Sequence, residues 1–124
     1  MKRTIKEAKV IEVLKTFMKK SFTNVSFHKI HVTPIHNKGF PDLFIIFDGI
    51  TILVEAKAPG GKPTENQLAT LVKMSEAGAK VFLMDCVSDD KNTLNFYDPS
   101  MEVLGSFSVK DDDARDKFLT IVNP

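Results

Sequence analysis

Asp42, Glu55 and Lys57 are the residues of this 124-residue sequence whose types and spacing best suit chemistry. Asp42 follows Pro41, and Glu55 comes after twelve intervening residues, inside the apolar run Ile50–Ala58. Asp48-Gly49 separates that run from Leu43–Phe47. Asp-Gly between two β-rich runs predicts a tight hairpin, because a type I′ turn needs positive φ at both central positions. In that hairpin Phe47 faces Ile50, Ile45 faces Ile52 and Leu43 faces Val54. One step further, Asp42 faces Glu55. Cross-strand partners hold their Cβ atoms about 4.5–5.5 Å apart on one side of the sheet. Lys57, two residues beyond Glu55, shares that side.

Two facing carboxylates repel. Either one is protonated with a raised pKa, or a cation holds both ionised. Oxygen ligands of this kind suit a hard cation such as Mg²⁺ or Mn²⁺, which keeps several waters. Such an ion polarises a phosphate oxygen and acidifies a water, and Lys57 is placed to orient that water or offset developing charge. Glu7, four residues before Ile11, sits at the edge of the apolar stripe of a first helix and can reach the outer shell of the ion. Plainer roles compete. Asp42 can simply begin a strand, Glu7 can be a solvated helix residue, and Glu55 can pair structurally with Lys57 or Lys62. Gln67 has a complete role in capping a helix. His28 and His31 point to opposite faces of a strand, and with Cys86 alone a zinc site has no ligand set. Asp111-Asp112-Asp113 reads as a charge cluster at a helix start.

The elements that must position these residues follow from periodicity. Ile5, Ala8, Ile11, Leu14, Phe17 and Met18 predict a helix over about Thr4–Lys20. Asn24–Thr33 reads as a strand ended by Pro34, and residues 36–41 as a loop. The hairpin follows, then a second loop, Pro59-Gly60-Gly61-Lys62-Pro63. Thr64 and Gln67 fit a capping box that opens a helix with Leu68, Leu71, Val72 and Ser75 inward and Gly78 as its stop. Ala79–Val87 reads as a buried strand that pairs parallel with its neighbour through the helical crossover. Weaker strands fall near Leu94–Tyr97 and Glu102–Val109, and Asp111 is placed to cap a last helix to Val122. The order is α-β-β-β-α-β, then β-β-α: an α/β domain with a mixed central sheet flanked by helices.

Composition agrees with one globular domain of 13.9 kDa, 43% apolar and 27% charged. It excludes a disordered tail, a collagen and a coiled coil. The apolar runs are too short to cross a bilayer, so no membrane partner is expected. No signal-peptide core follows the charged N-terminus, and the lone Cys86 suits a reducing compartment, so the expected location is cytoplasmic. Net charge is only +1, from 17 basic and 16 acidic residues. The charge is uneven, however. Residues 1–38 hold nine Lys or Arg against Glu7 and Glu12, while residues 85–116 are acidic. A basic first third can face a polyanion, although two solvated faces explain the pattern equally well.

Pro41-Asp42 with Glu55-Ala56-Lys57 resembles the PD-(D/E)XK nuclease superfamily. Gly39-Phe40-Pro41-Asp42-Leu43, the run Val54–Thr64, Gln67 and Ala77-Gly78-Ala79 together resemble its VRR-NUC branch, the virus-type replication-repair nucleases. The resemblance covers about residues 4–87 and leaves an extension, 88–124, that the motif does not explain. It implies a restriction-endonuclease-like core. It also implies Asp42, Glu55 and the Ala56 carbonyl as metal ligands, Lys57 as the catalytic lysine, and Glu7 and Gln67 as the family's helix-borne acid and glutamine. Small stand-alone members resemble homodimeric Holliday-junction resolvases. The expectation is thus a Mg²⁺- or Mn²⁺-dependent, structure-selective DNA endonuclease with no organic cofactor, acting on branched or duplex DNA. Lys62, Gly60 and Gly61, with Lys38 and His36 of the earlier loop, are the expected DNA contacts. A non-cleaving nucleic-acid-binding module and a restriction-type nuclease, or one acting on RNA, are the rivals.

Overall fold

The computed structural model describes residues 4–30 and 39–124. Helix α1 (Glu7–Ser21) leads into strand β1 (Val25–Lys29). The hairpin β2 (Leu43–Phe47) and β3 (Ile50–Ala56) follows, then α2 (Glu65–Glu76) and β4 (Val81–Val87). Strands β5 (Asp90–Tyr97) and β6 (Val103–Ser108) and helix α3 (Ala114–Val122) complete the chain. The six strands form one sheet in sequence order. All neighbours are antiparallel except β3 and β4, which α2 connects as a crossover. The mixed α/β architecture expected from the sequence is the one observed.

The hairpin has the expected register, with Leu43 opposite Val54, Ile45 opposite Ile52 and Phe47 opposite Ile50. Its turn has φ of 47° at Asp48 and 78° at Gly49, the positive pair that a type I′ turn demands. Period two then sends Leu43, Ile45, Phe47, Ile52, Val54 and Ala56 to one face, where all are buried. Helices α1 and α3 cover that face. Phe118 of α3 is fully buried, with ring centroids of Phe17, Phe22, Phe47, Phe96 and Phe107 at 5.5–6.1 Å. Cys86, a free thiol 2% exposed, lies in the same core. Burial, then Asp85 and Asp90, push its pKa up. On the other face Leu71 of α2 packs with Val81 and Leu83. The segment 88–124 is therefore built into the sheet and the main core.

Several boundaries and faces differ from the sequence reading. Helix α1 starts at Glu7; Lys6 is its N-cap, with extended backbone. Its buried side is Val10, Val13, Leu14, Phe17 and Met18, while Ala8 is exposed and Ile11 only partly covered. Apolar residues surround more than half of this helix, and packing against the sheet and α3 decides which stripe is covered. Strand β1 ends at Lys29, and the expected continuation over residues 31–33 lies outside the described residues. Ser75 is exposed, because the inward line of α2 is Leu68, Leu71 and Met74. Asp111 does not cap α3. Asp113 is the N-cap residue, and the Asp111 carboxylate instead accepts from the Ser108 N–H and from Lys117.

Candidate active site

The acidic centre forms where the hairpin opens. Beyond the last paired residues, Leu43 and Val54, the register brings Asp42 beside Glu55. Pairs with inward-pointing N–H groups alternate with pairs lacking ladder bonds, and side chains of the latter stand closest. Asp42 and Glu55 occupy such a position, because Lys57 N–H and Leu53 N–H point toward β4, to the carbonyls of Met84 and Lys80. The N–H of Ala56 points the opposite way and donates to Asp42 Oδ2 at 3.0 Å. The Ala56 carbonyl shares that direction, and the residue due opposite, Pro41, has no N–H to give it. The backbone of Asp42 is held in turn by Ile30 N–H, at 2.7 Å from its carbonyl.

Two other elements close the centre. Glu7 lies one turn before Val10 on the buried line of α1, so its half-buried carboxylate reaches the end of the sheet. Oxygens of Glu7, Asp42 and Glu55 all lie within 4.8 Å of one another. Gly39 keeps the approach to Asp42 tight against α2. Its φ is +88°, and a Cβ there would stand 2.6 Å from Thr70 Oγ1 and 2.8 Å from the Asn66 carbonyl. Any larger residue would lift the segment that delivers Asp42.

Glu55 is 1% exposed and is the buried charged residue among those described. Its Oε2 accepts from Lys57 Nζ at 3.2 Å and from Gln67 Nε2 at 3.3 Å. Its Oε1 is buried without a hydrogen-bond partner. Burial first, then Asp42, push its pKa up to about 7 against the opposing pull of Lys57. Glu7 is moved up as well, by burial and then by Asp42. Gln67 is shared between two tasks. Its Oε1 accepts from Thr64 N–H at 3.0 Å, closing the capping box at the start of α2, and from Lys57 Nζ at 3.1 Å. The capping pair fixes the glutamine, and the glutamine fixes the lysine.

These donors fit a divalent ion. A buried carboxylate oxygen without a donor is costly. Here it belongs to an all-oxygen cluster that carries three negative charges when ionised, countered by the ammonium of Lys57, with Lys29 also drawing on Glu7. That donor set matches hard cations that favour carboxylate and carbonyl oxygen.

Gly60, Gly61 and Lys62 do not join the acidic centre but line an adjoining cleft with Lys57. His36 and Lys38 lie outside the described residues, as does His31. His28 is exposed, bonded to Ser26 and set beside the Phe44 ring. Asp85 and Tyr97, which also line the cleft, were missed by sequence reasoning. The signal was present: Asp85 is the one charge in the β4 segment Val81–Val87. The chain matches no protein-family model and no curated protein.

Proposed function

We propose that this protein is a Mg²⁺- or Mn²⁺-dependent endonuclease that hydrolyses phosphodiester bonds of branched DNA, in the manner of the VRR-NUC nucleases its motif resembles. The observation that carries the reading is the Glu55 carboxylate. One oxygen is tied to Lys57 and Gln67, and the other is buried beside Asp42 and Glu7 with no donor. Asp42 and Glu55 would hold the ion, with the Ala56 carbonyl and Glu7 at its margin. When bound, the ion supplies a polarised phosphate and a water of lowered pKa. The chain does the rest. Lys57 Nζ, steered by Glu55 and Gln67, donates to the attacking water or to a phosphate oxygen. Gln67 keeps that ammonium from swinging into solvent. Asp42 is locked by the Ala56 N–H, so the ligand geometry is set before substrate arrives. Recognition comes from shape and backbone, with Lys62 and the Gly60-Gly61 turn beside the phosphate. A symmetric pair of copies, acting in the cytoplasm, would present two such sites to two strands of a junction.

The test is cleavage of labelled four-way, flap and duplex DNA with Mg²⁺ or Mn²⁺. Cutting should fall by roughly 10²–10³-fold or more in Glu55→Gln and Asp42→Asn, as for the loss of one group that stabilises developing charge. Parental activity in either variant, or none in the parent, refutes the nuclease. The Lys57–Glu55 ion pair is also what a non-cleaving, DNA-holding descendant would keep. Metal titration separates the two: a working site gives a Mn²⁺-linked rise in melting temperature that Asp42→Asn abolishes.

A further inference from the structure

The face of the sheet that carries Glu55 and Lys57 continues past the acidic centre into a cleft of about 180 Å³. Lys57 lines it at one side, with Lys62 and the Gly60-Gly61 turn. Leu83, Pro63, Tyr97 and Met101 supply a largely apolar surface. Met101, 40% exposed, is among the larger exposed apolar residues of the chain. Asp85 is the one carboxylate in the cleft. Its Oδ1 accepts from Asn95 Nδ2 at 2.9 Å and from the Tyr97 hydroxyl at 3.0 Å, and Ser106 braces Asn95 in turn at 2.8 Å. Among the described residues its second oxygen accepts no hydrogen bond. Three strands therefore hold Asp85 rigidly while leaving it one acceptor to offer. The Tyr97 hydroxyl, pushed up to about 12 by burial and by Asp85, stays a donor to that carboxylate at any working pH.

We infer that this cleft takes the base of one unpaired nucleotide next to the scissile phosphate, and that Asp85 selects bases carrying an exocyclic amino group. The inference rests on the nuclease reading and specifies its substrate. A phosphate at Lys57 leaves the neighbouring nucleoside within reach of the cleft. A flat ring finds an aromatic, a thioether and aliphatic carbons there, which is how proteins hold splayed bases. The free carboxylate oxygen accepts from the exocyclic amino group of cytosine, adenine or guanine, whereas thymine offers only its N3–H, flanked by two carbonyls that the carboxylate repels. A paired and stacked base cannot enter without being extruded, so a branch point or flap, where bases are already unpaired, is the favoured target.

The experiment is a set of otherwise identical flap substrates with a single unpaired C, A, G, T or abasic residue beside the cut, assayed with the full-length protein. Amino-bearing bases should be cut roughly tenfold faster than thymine or the abasic site, the scale of one good base contact. Asp85→Asn keeps an acceptor for Tyr97 but can donate as well, so it should bring thymine to within about twofold of cytosine. Equal rates across the whole set with the unaltered protein overturn the inference and leave the nuclease intact. A preference unchanged in a folded Asp85→Asn also overturns it. No cutting of any substrate overturns both readings together.

Discussion

Glu55 concentrates the electrostatics of the molecule in one side chain. Asp42 and Glu7 face it as carboxylic acids and Lys57 faces it as a cation. Its pKa is raised to about 7, chiefly by burial. An acid whose folded pKa exceeds its unfolded value favours the folded state while protonated. That contribution is complete below the ordinary value near 4.5 and is lost as pH rises toward about 7. The melting temperature of the metal-free protein should therefore fall across this window, measured in a chelator. Glu55→Gln should flatten the profile, and Mn²⁺ should restore the loss at the upper end, where the carboxylates are ionised. A melting temperature that climbs steadily over the same window would contradict the arrangement. Asp42 opposite Glu55 was readable in the sequence because a two-residue turn leaves no freedom of register. The second task of Gln67 was suggested only by the family resemblance, because its local capping partners already account for it. Its contact with Lys57 depends on where α2 lands.

Helix α2 and its cap carry the next level. Thr64 closes the capping box with Gln67 in both directions. Thr64→Ala removes only the cap and should cost about 1 kcal/mol, with cutting near the parental rate. Gln67→Ala should cost a similar amount of stability. It also frees Lys57, so cutting should drop by about tenfold or more, since small misplacements at a reacting centre are expensive. Thermal melts paired with cleavage rates separate the two effects. Equal activity losses in both variants would mean that helix stability alone governs the site. At this scale the hairpin, the crossover and α2 were legible, because turn and cap residues act locally. The buried face of α1 was legible at Leu14, Phe17 and Met18 but not in the first half of the helix. Apolar residues at 5, 8 and 11 compete with those at 10 and 13, and only the sheet chooses between them. The same choice carries Glu7 to the carboxylates.

The motif-bearing part of the sequence ends near Val87, but the molecule does not divide there. Strands β5 and β6 extend the sheet, and Phe118 fills the centre of the aromatic core between α1 and the strands. Phe118→Ala should cost about 3–5 kcal/mol, read by denaturant melts. A chain cut after Val87 should lose its cooperative transition. If that fragment melts as sharply as the whole, the last three elements are an addition and not a foundation. Sequence patterns showed these elements weakly, because β6 is a short edge strand and β5 opens with four polar residues, Asp90–Thr93, before its buried Leu94 and Phe96. Their burial partners lie far back in the chain.

Cys86 gives the protein a sentinel of its own opening. The thiol sits in the core with its pKa raised, so a thiol-directed reagent meets thiolate only after β4 has parted from its neighbours. Labelling under native conditions should therefore be slow, and its rate should track global stability as denaturant is added. Mn²⁺ should slow it further in the parent and leave Asp42→Asn unaffected. Occupancy of the acidic centre becomes visible without any nucleic acid in the tube. Fast modification in native buffer would instead mean that β4 breathes independently of the rest of the sheet.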